Sequence, residues 1–281
     1  MLRRNSSPGG LPGTRPVGLD LLTVMAIGVV VFILKNVLHE AVGHGGACLL
    51  AGGRAITLST AHFDCGSESV SSAGVRFIAA AGALANLAFG FGFRQAFRSG
   101  RFTRPDVRFF IWFAMASNFF VAAGYPLFSG ISGVGDFVDV VNGFEPAWAW
   151  RLFLVAFGLV SYLLAVRVSL REMPSLVGHD DPDRLRRAVN LTVPPYLAGA
   201  TLASVGAWFN PIGPFVIWTS AAASFGGSSA FAWMAQMLRT KWFPDRSDER
   251  VDLGRKPAWI VAAIVLALVH ILVLGPGLDF G

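Results

Sequence analysis

Long apolar runs alternate along the chain with short segments that are polar and mostly basic. Seven runs, roughly 21–50, 75–97, 107–128, 148–168, 193–209, 212–238 and 257–276, are each long enough to cross a hydrocarbon layer about 30 Å thick as a helix. The fifth and sixth meet at Asn210-Pro211-Ile212-Gly213-Pro214, a composition that predicts a tight hairpin at a membrane face. No repeat period appears, and no linker is long enough to separate domains. The pattern predicts an all-α, polytopic membrane helical bundle of about seven transmembrane helices. Residues 1–20 form a basic tail and 21–281 a single membrane domain. The chemistry is expected in about 21–140, with additional helices over about 148–276.

Composition agrees. Hydrophobic residues make up 54% of the 281 positions and charged residues only 14%, with a mean hydropathy of +0.57. A soluble domain carries roughly 25% charged residues, so a water-soluble globule is excluded. The net charge of +6 does not point to nucleic acid, because no basic stripe with interleaved aromatics is present. Of the 23 Lys and Arg residues, only Lys35, Arg54, Arg76 and Arg151 lie outside the N-terminal tail and the segments that follow the second, fourth and sixth runs. Because positive loops stay cytoplasmic, the N-terminus is expected inside and the C-terminus outside, in the plasma (inner) membrane of a prokaryote. The first run contains His39, Glu40 and His44, unlike a cleaved signal peptide, and is read as retained. Two cysteines make no disulfide framework; a bridge between Cys48 and Cys65 stays open.

The polar residues of the first run read Val37-Leu38-His39-Glu40-Ala41-Val42-Gly43-His44-Gly45-Gly46-Ala47-Cys48. A charged residue at the centre of a membrane helix costs roughly 2.5–3.5 kcal/mol on insertion scales, so such groups usually line a site. One reading is a polar cluster bonded to neighbouring helices. The sharper one is a metal site, since neutral imidazole is the commonest metal ligand and an adjacent glutamate can take a proton from a water that the ion activates.

His39-Glu40-x-x-x-His44, followed by small residues, resembles the zinc motif of the site-2 protease class of intramembrane metalloproteases. Ala80-Ala81-Gly82-Ala83-Leu84-Ala85-Asn86 resembles that family's Gly-Pro-x-x-Asn, with Ala83 where proline is usual. Gly124-Tyr125-Pro126-Leu127-Phe128-Ser129-Gly130 is similar to the proline-rich segment before its Leu-Asp-Gly ligand motif, with Ser129 in place of the aspartate. The likeness covers about residues 30–140. It implies a zinc-dependent intramembrane protease that cuts membrane-embedded or membrane-adjacent peptides, with Glu40 as general base and Asn86 positioning substrate. The partners implied are the lipid bilayer and a transmembrane protein or peptide substrate.

The spacing departs from the family's. His-Glu-x-x-His puts its histidines four apart on one helical face, whereas His39 and His44 are five apart. At about 100° per residue their rings would diverge by roughly 140° on a regular α-helix. A π-bulge re-aims such side chains, and Gly43, Gly45 and Gly46 make it cheap. Alternatively Glu40, His44 and Cys48, four apart, form a stripe of their own. The bulged pair is preferred.

A catalytic zinc takes about three protein ligands. Asp136, preceded by Gly133 and Gly135, is the expected third; Ser129 and Asp139 are the alternatives. His62, Asp64 and Cys65 are read as flanking. Lys35, one turn before His39, has no assignable partner, and Asn118 could equally bond a neighbouring helix. From Leu21 to His39 is about 27 Å at 1.5 Å per residue, which puts the histidines near the outer boundary. The family generally carries its metal nearer the cytoplasm.

Two other functions compete. Gly130-Ile131-Ser132-Gly133 matches the Gly-x-Ser-Gly of rhomboid-type serine proteases, with His270 as base. That chemistry leaves His39, Glu40 and His44 unexplained. A non-proteolytic membrane scaffold or transporter could keep the same residues as a metal or polar site.

Overall fold

A computed structural model of the chain describes residues 18–178, 183–210, 213, 218, 222–239 and 250–281. The first helix starts at Asp20, whose carboxylate caps it by accepting from Thr23 N–H at 2.9 Å. It runs as α1 (Leu21–Val37), a π-helical segment (Leu38–Gly45) and α2 (Gly46–Leu50) without a break. Next come β1 (Arg54–Leu58), β2 (Phe63–Gly66), α3 (Ser72–Arg98), α4 (Pro105–Ser132), α5 (Asp136–Val141) and α6 (Ala147–Glu172). The chain continues through α7 (Pro174–Val177), α8 (Arg184–Ala207), α9 (Ala230–Trp233), α10 (Pro257–Val269) and β3 (Leu278–Asp279).

Five helices, Leu21–Leu50, Ser72–Arg98, Pro105–Ser132, Ala147–Glu172 and Pro257–Leu274, are long and apolar enough to cross a membrane. Together with the bare apolar faces of α6 and α10 (Leu152, Phe153, Leu163, Leu164, Ile264, Leu268), they mark a membrane protein, because large exposed apolar faces are rare on soluble monomers. The expected count of seven is not reached on this criterion. The run at 193–209 lies mostly in α8, which is long enough but diluted by Asn190, Thr192, Pro194 and Pro195. The run at 212–238 and its hairpin fall partly outside the described residues, as does most of the 1–20 tail. The described remainder is a π turn (Ala222–Gly226), α9 and a 3-10 helix (Met234–Arg239).

The helix α4 forms the middle of the bundle. Its Phe109, Trp112, Phe113 and Phe120 are fully buried and pack with Phe32 of α1 and Phe231 of α9. Close approach relies on small residues, as in membrane helix pairs generally: a Cβ on Gly28 of α1 would meet the Pro195 carbonyl of α8 at 2.3 Å.

The all-α expectation needs one correction. The segment after α2, expected as a loop, forms an antiparallel pair with Arg54 opposite Gly66 and Leu58 opposite Phe63, and the C-terminal β3 pairs with β1 in the order β2-β1-β3. A disulfide joins Cys48 to Cys65 at this end. The opposite end gathers the basic segments: Asp20 accepts from Arg255 at 3.0 Å, Arg94 pairs with Glu172 at 3.2 Å, and Asp20 N–H donates to the Leu253 carbonyl at 2.7 Å. The helix α8 touches both ends. Arg187 bonds the Val251 carbonyl, and just past the helix Asn210 donates to Ser59 Oγ at 2.9 Å.

Candidate metal centre

Between Leu38 and Gly45 the first helix widens into a π-helix. A π turn bonds residues five apart instead of four, so it brings His39 and His44 together where an α-helix would separate them. Their ring centroids lie 4.8 Å apart at 82°. Two glycines make room for the wider turn. A Cβ on Gly43 would strike Gly82 Cα of α3 at 2.6 Å, so α3 lies directly against the widened segment.

The third group arrives from the far end of α4. That helix stops at Gly133 (φ +73) and α5 starts after Gly135 (φ +94); both are left-handed conformations that glycine adopts without a Cβ penalty. The turn folds Asp136 back over the histidines. Its Oδ2 lies 3.1 Å from His39 Nε2 and 3.4 Å from His44 Nε2, and one ligand atom from each residue falls within 4.8 Å of the others.

The far side of each ring is fixed. His39 Nδ1–H donates to Asn86 Oδ1 at 2.6 Å, and His44 Nδ1–H donates to the Ile78 carbonyl at 2.7 Å. A carbonyl can only accept, and the Asn86 amide nitrogen is committed to Asn118 Oδ1 at 2.8 Å and to the Lys35 carbonyl at 3.2 Å. With Nδ1–H so occupied, each imidazole turns its Nε2 toward a carboxylate oxygen. Three lone-pair atoms so close need a positive centre among them, either a proton or a cation. Ligands about 2.0–2.1 Å from a tetrahedral ion lie about 3.3 Å from one another, which matches the two distances to Asp136 Oδ2. Gly82 keeps the place open, since a Cβ there would sit 2.5 Å from both Nε2 atoms. The residues fit a divalent cation such as zinc.

Electrostatics follow the same geometry. Burial works against the charge on Asp136, but a positive centre shared with His39 and His44, a proton when no cation is bound, outweighs it and holds the carboxyl well below the usual range. Asp139, one turn on in α5, is pushed up by burial and by the Asp136 charge. A cavity of about 220 Å³ opens beside the triad, lined among others by Glu40, His44, His62, Tyr125, Asp136 and Asp139.

Several expected residues land elsewhere. Asn86 is fully buried with its amide consumed by His39, Lys35 and Asn118, behind the metal locus and away from the cavity. Cys48 is in the disulfide, which removes the Glu40–His44–Cys48 stripe. Ser129 is buried beneath Gly135, and Asp139 and His62 line the cavity without joining the triad. Lys35 is buried against the Phe32 ring, 4.2 Å from its centroid. The rival serine pair is not assembled. Ser132 donates to the Phe128 carbonyl at 2.7 Å, while His270 is sealed among Asn36, Leu58, Ser59 and Thr60. Sequence reasoning missed Tyr125, whose ring stacks on His39 at 4.6 Å; its place between Gly124 and Pro126 was the available signal. No protein-family model, curated protein or solved structure matches this chain.

Proposed function

We propose that the protein is a zinc-dependent intramembrane peptidase of the site-2 type, cutting a peptide bond in or beside the membrane. The observation that carries this reading is the convergence of His39 Nε2, His44 Nε2 and Asp136 Oδ2, next to a cavity that Glu40 lines. His39, His44 and Asp136 hold the ion, and Asn86 and the Ile78 carbonyl keep the two rings aimed. Zinc bound there supplies Lewis acidity toward water and the scissile carbonyl. Glu40 takes a proton from water as oxygen attacks the carbonyl carbon, then returns it to the amine nitrogen as the C–N bond breaks. A helical substrate has to unwind locally, because its carbonyls are otherwise occupied.

Two observations support a cytoplasmic N-terminus. The basic segments lie at the end opposite the Cys48–Cys65 bridge, and disulfides persist on the oxidising side of a membrane. The site then opens outward. The contacts at both ends of α8 support a further crossing there. The test is cleavage of a dye-labelled, single-span synthetic peptide by the zinc-loaded protein in vesicles. Wild type should cut and Glu40→Gln should not. Stoichiometric zinc with no cutting by either would favour a scaffold or transporter.

A further inference from the structure

The protein has three tyrosines, and two of them are bonded through their hydroxyls. Tyr196 donates to the Phe225 carbonyl at 2.8 Å, and Tyr162 accepts from Ala230 N–H at 2.9 Å and lies 3.3 Å from Ser229 Oγ. Tyr125 differs. Its ring is held nearly parallel to His39, 20° between planes, and it lines the cavity with Glu40, His44 and Asp136. Among the described residues its hydroxyl has no hydrogen-bond partner. Tyr125 is only partly buried and its hydroxyl is not among the sealed, unpartnered oxygens, so it opens into the cavity. An uncommitted O–H in the cavity that Glu40, His44 and Asp136 line is free to donate to an acceptor that enters it.

We infer that Tyr125 is a catalytic residue of the proposed peptidase, donating a hydrogen bond to the oxygen of the scissile carbonyl as that oxygen becomes negative. The inference rests on the peptidase reading and adds a role that no metal ligand fills. As the water oxygen bonds to the carbonyl carbon, the C=O π pair moves onto oxygen. The phenol, neutral at pH 7 and able to donate, stabilises that charge without giving up its proton. Glu40 alone carries the proton from water to the leaving nitrogen. The stack on His39 fixes the ring before substrate arrives, and a donor already aimed at developing charge is worth most in a water-poor site.

Tyr125→Phe keeps the ring and the stack and removes only the hydroxyl. The zinc-loaded, full-length protein in vesicles is assayed with the dye-labelled single-span peptide, and its affinity for a phosphonamidate dipeptide, which carries a tetrahedral anionic oxygen, is measured in parallel. The variant should lose about 10²–10³ in kcat with KM nearly unchanged, and bind the phosphonamidate correspondingly more weakly. Its zinc content and the visible spectrum of its cobalt form should match wild type. A variant that cleaves and binds like wild type overturns the inference while leaving the peptidase reading intact, as does one that changes only KM. A variant that loses zinc shows a positioning role through His39 and overturns it too. A wild-type protein that cleaves nothing sinks the peptidase reading and this inference together.

Discussion

His39 Nδ1–H donates to Asn86 Oδ1 at 2.6 Å, and this single bond sets which nitrogen of His39 faces Asp136. Groups that orient a metal-ligating histidine typically contribute 10–100-fold to metal affinity. Asn86→Leu should weaken zinc binding relative to wild type by about that factor. Competition against a chelator of known affinity measures both.

Gly82 and Gly46 make a matched pair of substitutions. A Cβ at Gly82 falls 2.5 Å from each Nε2, while a Cβ at Gly46 meets nothing within 4 Å. Gly82→Ala should abolish zinc binding by occupying the locus. Gly46→Ala should leave zinc content unchanged and raise stability by roughly 0.5–1 kcal/mol, the usual gain of alanine over glycine inside a helix. Metal analysis and thermal denaturation separate the two outcomes.

The Cys48–Cys65 bridge spans 17 residues and ties the end of the first helix to β2. Closing a loop of that size is worth roughly 3 kcal/mol. Cys48→Ser with Cys65→Ser should lower stability by about 2–4 kcal/mol. In sealed cells, a membrane-impermeant thiol reagent added outside after reduction should label Cys65 of the wild type, the partly exposed member of the pair. Labelling only after lysis would place this end in the cytoplasm and reverse the orientation.

At the other end, Asp20 is lowered: its slight burial raises it, and the bonds from Thr23 and Arg255 outweigh that. A carboxyl depressed on folding adds stability above its unfolded value, near 3.9, and loses it as the pH falls through the folded value. The stability gap between wild type and Asp20→Asn should be full at pH 6 and close below about pH 4. Salt should shrink the Arg255 share of the gap.

Much of the site was legible because its parts are expensive to misplace. Two histidines five apart in an apolar run make sense only if the helix widens, and the π segment at Leu38–Gly45 is the widening that the spacing demanded. Asp136 could be singled out because Gly133 and Gly135, just before it, free it to turn back. Asn86 was found as a residue but not in its place, since sequence does not say whether an amide faces a cavity or a ligand's back. The sheet was hidden because β3 pairs with β1 across more than 200 residues, beyond any local period. The helix α8 read as apolar over 193–209, yet its prolines and polar residues leave it held by partners at both ends more than by hydropathy.

Metal content of the purified protein tests the central claim most directly. After expression in zinc-supplemented medium and removal of loosely bound ions, a centre built by His39, His44 and Asp136 predicts one zinc per chain in wild type and none in His44→Ala or Asp136→Ala, with all three equally folded by circular dichroism. A wild-type protein that holds no zinc under these conditions, or variants that keep theirs, would contradict it.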